Sequence, residues 1–157
     1  MGESLYGTDY SPDYNTVETV RWFRDRPHRF YTGAALILLG VHTADNLQWS
    51  ERKEIWDHVA FYNYFQSFVG DTPRVPPTAQ QWREAEGPFR TVLDELKPKV
   101  VLVLSRRVGY HLVQTEPVLA DLEVCLARHP SGRGWSSIAK REIIRDFQDA
   151  VRKAGCH

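Results

Sequence analysis

Cysteine is scarce in this chain: Cys125 and Cys156 are the two thiols in 157 residues. Two thiols so placed build no disulfide framework and stand at no metal-ligand spacing. His28, His42, His58 and His111 are likewise scattered without ligand spacing. No metal and no cofactor is therefore expected. No apolar run is long enough to span a bilayer and no signal peptide is visible, so the expected setting is a reducing cytoplasm. Excess charge of one sign is missing too. Twenty basic and twenty acidic residues leave a formal net charge of zero, which argues against wholesale polyanion binding.

What remains is ordinary for one globular domain spanning 1–157, with 42% apolar residues to build a core. The charge is unevenly spread. Residues 1–78 carry 7 Lys/Arg against 10 Asp/Glu, whereas residues 79–157 carry 13 against 10. Arg106, Arg107, Arg128, Arg133, Lys140 and Arg141 fall in that basic half, and together they suit a phosphate backbone. Taken one at a time, each equally suits a solvated helix or loop.

Periodicity and capping place the elements. Residues 1–14 read as loop. Asn15-x-x-Glu18 is a capping box opening a helix through about Arg26, with Val17, Val20 and Phe23 on its inner face. Phe30 to Leu39 fits either a helix or, over Ala35–Leu39, a buried strand. Ser50 caps a short helix through Trp56, and Val59 to Phe65 ends extended. Three prolines between Thr72 and Pro77 exclude regular structure there. Thr78-x-x-Gln81 opens an amphipathic helix that repeats Trp82, Phe89, Leu93 and Leu96 and stops at Pro98. Val100–Leu104 and Leu122–Ala127 read as buried parallel strands with a helix between them, a βαβ unit. The last helix starts near Ser136 or Ser137, with Ala139, Ile143, Phe147 and Val151 inward. The expected class is α/β: a three-layer αβα arrangement around a central, mainly parallel four-stranded sheet.

Three pieces of the chain carry chemistry. His129-Pro130-Ser131 follows the apolar stretch Val124–Ala127, where a proline holds an imidazole over the carboxyl edge of a sheet, the edge at which α/β ligand sites form. The chain opens Gly2-Glu3-Ser4-Leu5-Tyr6-Gly7, and Phe61-Tyr62-Asn63-Tyr64 lies in its middle. A neutral histidine donates well to a carbonyl that is becoming an oxyanion. An asparagine amide, both donor and acceptor, reads a pyrimidine edge bidentately. A carboxylate orients water or offsets charge on a sugar cation.

In this order the three pieces resemble the uracil-DNA glycosylase superfamily, over nearly the whole chain. The resemblance implies a monofunctional DNA glycosylase that flips out a base, hydrolyses its N-glycosidic bond and leaves an abasic site, the base being uracil or a modified pyrimidine such as one in phage DNA. It assigns Glu3 with Ser4 to water positioning, Asn63 to base reading and His129 to the departing anion. Gly2 lets the backbone approach the nucleotide, and Tyr6 with Tyr10 or Tyr14 shapes or stacks the pocket. Ser131 and the loop Gly132-Arg133-Gly134-Trp135 face the DNA, with Arg133 and Trp135 as wedge or phosphate contact. DNA is the implied partner, with no membrane and a monomeric protein. Branches that hold an iron–sulfur cluster need four thiolates, so this chain falls outside them.

Two departures bear on activity. Ser4 stands where the family often has aspartate, leaving Glu3 as the nearest carboxylate. Only Met1 precedes Gly2, where the family has a central strand. Either the chain is shortened upstream, or Ala35–Leu39 fills the gap, or the sheet is smaller. The alternative function is a catalytically weak or inactive glycosylase-like module that binds DNA or protein; an N-ribohydrolase of free nucleosides is a third.

Overall fold

The computed structural model describes residues 1–4, 16–72, 75–115, 122–132 and 135–156. Among these residues six α-helices and two strands follow one another: α1 (Thr16–Arg24), α2 (Arg29–Leu39), α3 (Trp49–Glu54), α4 (Ala79–Leu96), β1 (Val100–Val103), α5 (Arg106–Thr115), β2 (Glu123–Leu126) and α6 (Ser137–Lys153). None of these helices is long and apolar enough to cross a membrane.

Local chemistry sets the helix boundaries. Thr78 and Gln81 form the expected reciprocal capping box at α4: the Gln81 amide donates to Thr78 Oγ1 at 3.2 Å and the Thr78 amide to Gln81 Oε1 at 2.8 Å. Ser136 Oγ accepts from the Ala139 amide at the head of α6. Residues 30–39, ambiguous by pattern, form α2, which closes on Gly40 in the left-handed region at φ 71°. At α3 the cap is Gln48, boxed with Glu51, rather than Ser50, and Trp56 lies in the 3-10 turn beyond it. On α1, Val17 is exposed and Thr19 buried, while Val20 and Phe23 pack inward as expected. Asn15, the other half of the expected box, lies outside the described residues.

β1 and β2 pair in parallel, Val100 with Glu123 through Val103 with Leu126, with α5 between them in the chain. β1 buries both faces. Leu102 and Leu104 meet α2 and α6 in one hydrophobic cluster; Val101 and Val103 meet α4 and α5 in another. Aromatic rings thicken both clusters, Phe30, Tyr31 and Trp56 in the first and Tyr64, Phe65 and Phe89 in the second.

The expected four-stranded central sheet in a three-layer arrangement is overturned. The described residues are mostly helical, and their sheet has two strands. Two physical reasons account for the difference. Ala35–Leu39 is committed to α2, so it fills no strand position. Residues 1–2 attach to their neighbours by isolated backbone bonds and one bridge, not as a strand. Met1 donates its amine to the Leu102 carbonyl at 2.6 Å and accepts from the Leu104 amide at 2.8 Å. Gly2 then forms a single parallel bridge with Asn63. Short backbone attachments thus extend the sheet's margin without adding strands.

Candidate functional site

Four chain segments end along one edge of this framework, and each delivers a polar side chain there. Gly2 donates to the Tyr62 carbonyl at 2.9 Å and accepts from Tyr64 at 3.1 Å, which carries Glu3 past Asn63; Phe65 then donates to the Glu3 carbonyl at 2.9 Å. Ser105 follows β1. His129 follows β2, whose parallel bonding continues one step as the Ala127 amide donates to Val103.

Glycine at position 2 is demanded by this packing. A Cβ there would lie 2.4 Å from Asn63 Oδ1 and 3.1 Å from the Phe61 ring. The Asn63 amide therefore rests against bare backbone. It is buried, and its Nδ2 donates to Thr16 Oγ1 at 3.2 Å. One of its N–H groups is thus engaged at the start of α1 rather than pointing into open space.

Glu3 is held from the α5 side. Its carboxylate accepts from Ser105 Oγ at 2.5 Å and from the Arg107 guanidinium at 3.2 Å, and the side chain is only 14% exposed. Ser105, itself buried, also accepts from the Val108 amide, so the hydroxyl that grips Glu3 simultaneously caps α5. Ser105 is not among the candidates the sequence offers, and Arg107, expected among the basic residues for a phosphate backbone, pairs with Glu3 instead. The available signal was a serine between an apolar strand and a helix, a capping position. Ser4, next along, has a buried hydroxyl with no hydrogen-bond partner among the described residues.

His129 is fixed by its own motif. The Ser131 amide lies 3.3 Å and the Ser131 hydroxyl 3.0 Å from its Nδ1. A backbone N–H can only donate, so Nδ1 is an acceptor and the proton of the neutral ring sits on Nε2. The ring packs on Phe30, centroids 4.9 Å apart. Desolvation lowers its pKa below 6.5, Glu3 pulls it upward and His28 lowers it further. That balance favours a neutral imidazole within electrostatic reach of Glu3. Pro130 is buried against α2: a Cβ on Gly33 would fall 2.6 Å from Pro130 Cβ. The Gly132 amide closes the turn onto the His129 carbonyl at 2.8 Å.

Aromatic contacts tie these segments together. His129 touches Phe30, Phe30 meets Phe61 edge-on at 6.0 Å, and Phe61 borders Gly2. This run of ring contacts links the end of β2 to the Gly2–Asn63 bridge; Glu3, Asn63 and His129 themselves line neither the cleft walled by Trp135 nor the smaller hollow at Arg106. Tyr6, Tyr10, Tyr14 and Arg133 lie outside the described residues. Trp135 is half-buried against the α2–α6 cluster, a position unlike that of a protruding wedge. It walls an open cleft of about 490 Å³ together with Pro130, Ser131 and the first turns of α2. A smaller hollow of about 180 Å³ lies between Arg106, Tyr110, Leu126 and Arg128. Among the described residues no group of three or more His, Cys, Asp or Glu is placed to hold a metal ion.

No protein-family model matches this chain, and neither a curated protein nor a solved structure matches it.

Proposed function

We propose that this protein is a monofunctional DNA glycosylase, resembling the cluster-free branches of the uracil-DNA glycosylase superfamily. It acts as a cytoplasmic monomer on DNA, and its substrate base is uracil or a modified pyrimidine, including one carried by phage DNA. The observation that carries this reading is the fixed tautomer of His129. Its protonated Nε2 is a ready donor, its ring is kept neutral, and a carboxylate lies within electrostatic reach.

The chemistry needs those parts. As the C1′–N bond breaks, its electron pair goes to the base and the sugar becomes oxocarbenium-like. His129 Nε2–H donates to the base carbonyl as negative charge gathers there, which stabilises the anion without transferring the proton. Glu3 faces the sugar cation and orients a water whose oxygen bonds to C1′; the water's proton passes to the carboxylate and then to solvent, and the base anion is protonated from solvent. Asn63 contributes its amide to reading the base edge, and Ser4 supplies a hydroxyl beside Glu3. Ser131 serves here as the residue that sets the His129 tautomer. Arg106 and Arg128, around the smaller hollow, suit phosphates of the same strand.

A second reading has its own support. Glu3 is clamped by Ser105 and Arg107, and Asn63 is engaged with Thr16. Side chains so satisfied suit a binding module, for DNA or protein, as well as a catalyst. Incubation with oligonucleotides carrying uracil or one of a panel of modified pyrimidines, followed by hot alkali, separates the two. Strand breaks at the modified position are expected. Absence of breaks with every base at stoichiometric protein would overturn the catalytic reading and leave the module.

A further inference from the structure

We infer that the cleft beside Trp135 binds one unpaired nucleotide of a single DNA strand, next to the nucleotide presented to His129, with its base on the indole and its phosphate on Arg29. This rests on the reading of the protein as DNA-acting, not on whether it excises a base. The cleft measures about 490 Å³, the scale of small-ligand sites. Arg29, Thr32 and Leu36 of α2 line one wall, and Pro130, Ser131 and Trp135 the other.

Three features of those walls specify the occupant. Trp135 packs against the hydrophobic cluster and also lines the cleft, an anchored aromatic of the kind on which bases stack. Arg29 is exposed and makes no hydrogen bond or ion pair among the described residues, so its charge is available for an anion. Among the described residues no aspartate or glutamate lines the cleft, and Asp25 is paired with Lys53 at 2.7 Å. An apolar plane and an exposed guanidinium, with no acid among the described lining residues, match a base and its phosphate. Ser131 joins the cleft to His129: it belongs to the cleft wall and hydrogen-bonds the His129 ring through its amide and hydroxyl. A base that stacks on the indole has left any duplex partner, so the preference is for a single strand.

The test is binding of fluorescein-labelled dT20, which carries no excisable base, followed by anisotropy at several salt concentrations. The parent is expected to bind dT20 more tightly than a 20-base-pair duplex. Trp135→Leu should weaken binding by roughly tenfold or more, whereas Trp135→Phe, which keeps a ring, should retain most of it. Arg29→Ala should lower the slope of log affinity against log salt by about 0.7, one phosphate contact on a single strand. Unchanged affinity in Trp135→Leu with an unchanged slope in Arg29→Ala would overturn the inference even if the parent excises bases. No binding of dT20 by the parent, or a preference for the duplex, would overturn it too. Dependence on both residues in a protein that excises nothing would leave the cleft standing and remove only the glycosylase chemistry.

Discussion

Replacing Arg52 by methionine removes a charge from the interior and should unfold the protein well below its parent temperature. Arg52 is 2% exposed. It donates to the carbonyls of Phe23 at 2.8 Å, Arg24 at 2.9 Å and Arg26 at 2.5 Å, and to Thr32 Oγ1 at 3.3 Å. Those carbonyls belong to the end of α1 and the turn after it, groups that a helix leaves without intrahelical donors. One side chain on α3 therefore ties the end of α1 to the first turn of α2, and sets the position of Pro27 and His28 at the cleft. Each hydrogen bond from a charged group is worth roughly 1.5–3 kcal/mol, but burying the guanidinium costs several kcal/mol, and desolvation accordingly lowers its pKa. Methionine restores the apolar stem and abolishes that desolvation cost, while the carbonyls lose their donor. The net loss is about 3–5 kcal/mol, or roughly 10 °C in Tm for a domain of this size. Differential scanning calorimetry of parent, Arg52→Met and Arg52→Lys measures it. Lysine, a point charge without the fork, should recover less than half of the loss. A shift below about 2 °C for methionine would refute the assignment of α1's terminus to this residue.

Other outcomes follow from the same geometry. Because burial lowers the pKa of both His28 and His129 below 6.5, the folded chain binds fewer protons than the unfolded one. Stability is complete above the unfolded value and is lost as pH falls through the lower folded values; urea midpoints at pH 7.5 and 5 should show this loss, and His129→Gln should shrink it. An unchanged midpoint would contradict the inferred neutral rings. Gly2→Ala, with its new methyl 2.4 Å from Asn63 Oδ1, should push the amide off Thr16 and destabilise by about 1–3 kcal/mol; chemical denaturation checks this, and a neutral effect would mean that Asn63 moves freely. Cys125 is buried, its thiol pushed up to about 11 by desolvation first and by neighbouring acids such as Asp146 after it. Under native conditions a disulfide reagent should therefore titrate the half-buried Cys156 quickly and Cys125 only on unfolding; two fast thiols would contradict that burial.

The readable parts of this chain were those decided by near neighbours. Thr78 and Gln81 announce α4 because a cap and its reciprocal partner are three residues apart, and the βαβ unit shows as two apolar runs around a helix. His129, Pro130 and Ser131 stand together in the chain, so their turn was legible as a unit. What escaped was decided at long range. Whether 35–39 becomes strand or helix depends on α2 packing against α6 and on Pro130 seating on Gly33, neither visible in a local window. The four-stranded sheet failed for that reason, and because one bridge at Gly2 adds no strand. Val17 faces outward although its spacing suited an inner stripe; Thr19 takes the buried place instead. Ser105 and Arg107 reach Glu3 across more than a hundred residues of chain. No spacing rule could pair them. Arg52 is buried among backbone carbonyls by contacts that no local pattern marks.

The most direct test of the account is single-turnover release of free base from a uracil-containing single strand, with the products identified by mass spectrometry for parent and His129→Ala. Free uracil and an abasic strand are expected from the parent, with the rate reduced by about 100- to 1,000-fold in the variant, the cost of losing one oxyanion donor. Equal rates in parent and variant would contradict the role given to His129, and a strand cut with its base still attached would contradict cleavage of the glycosidic bond.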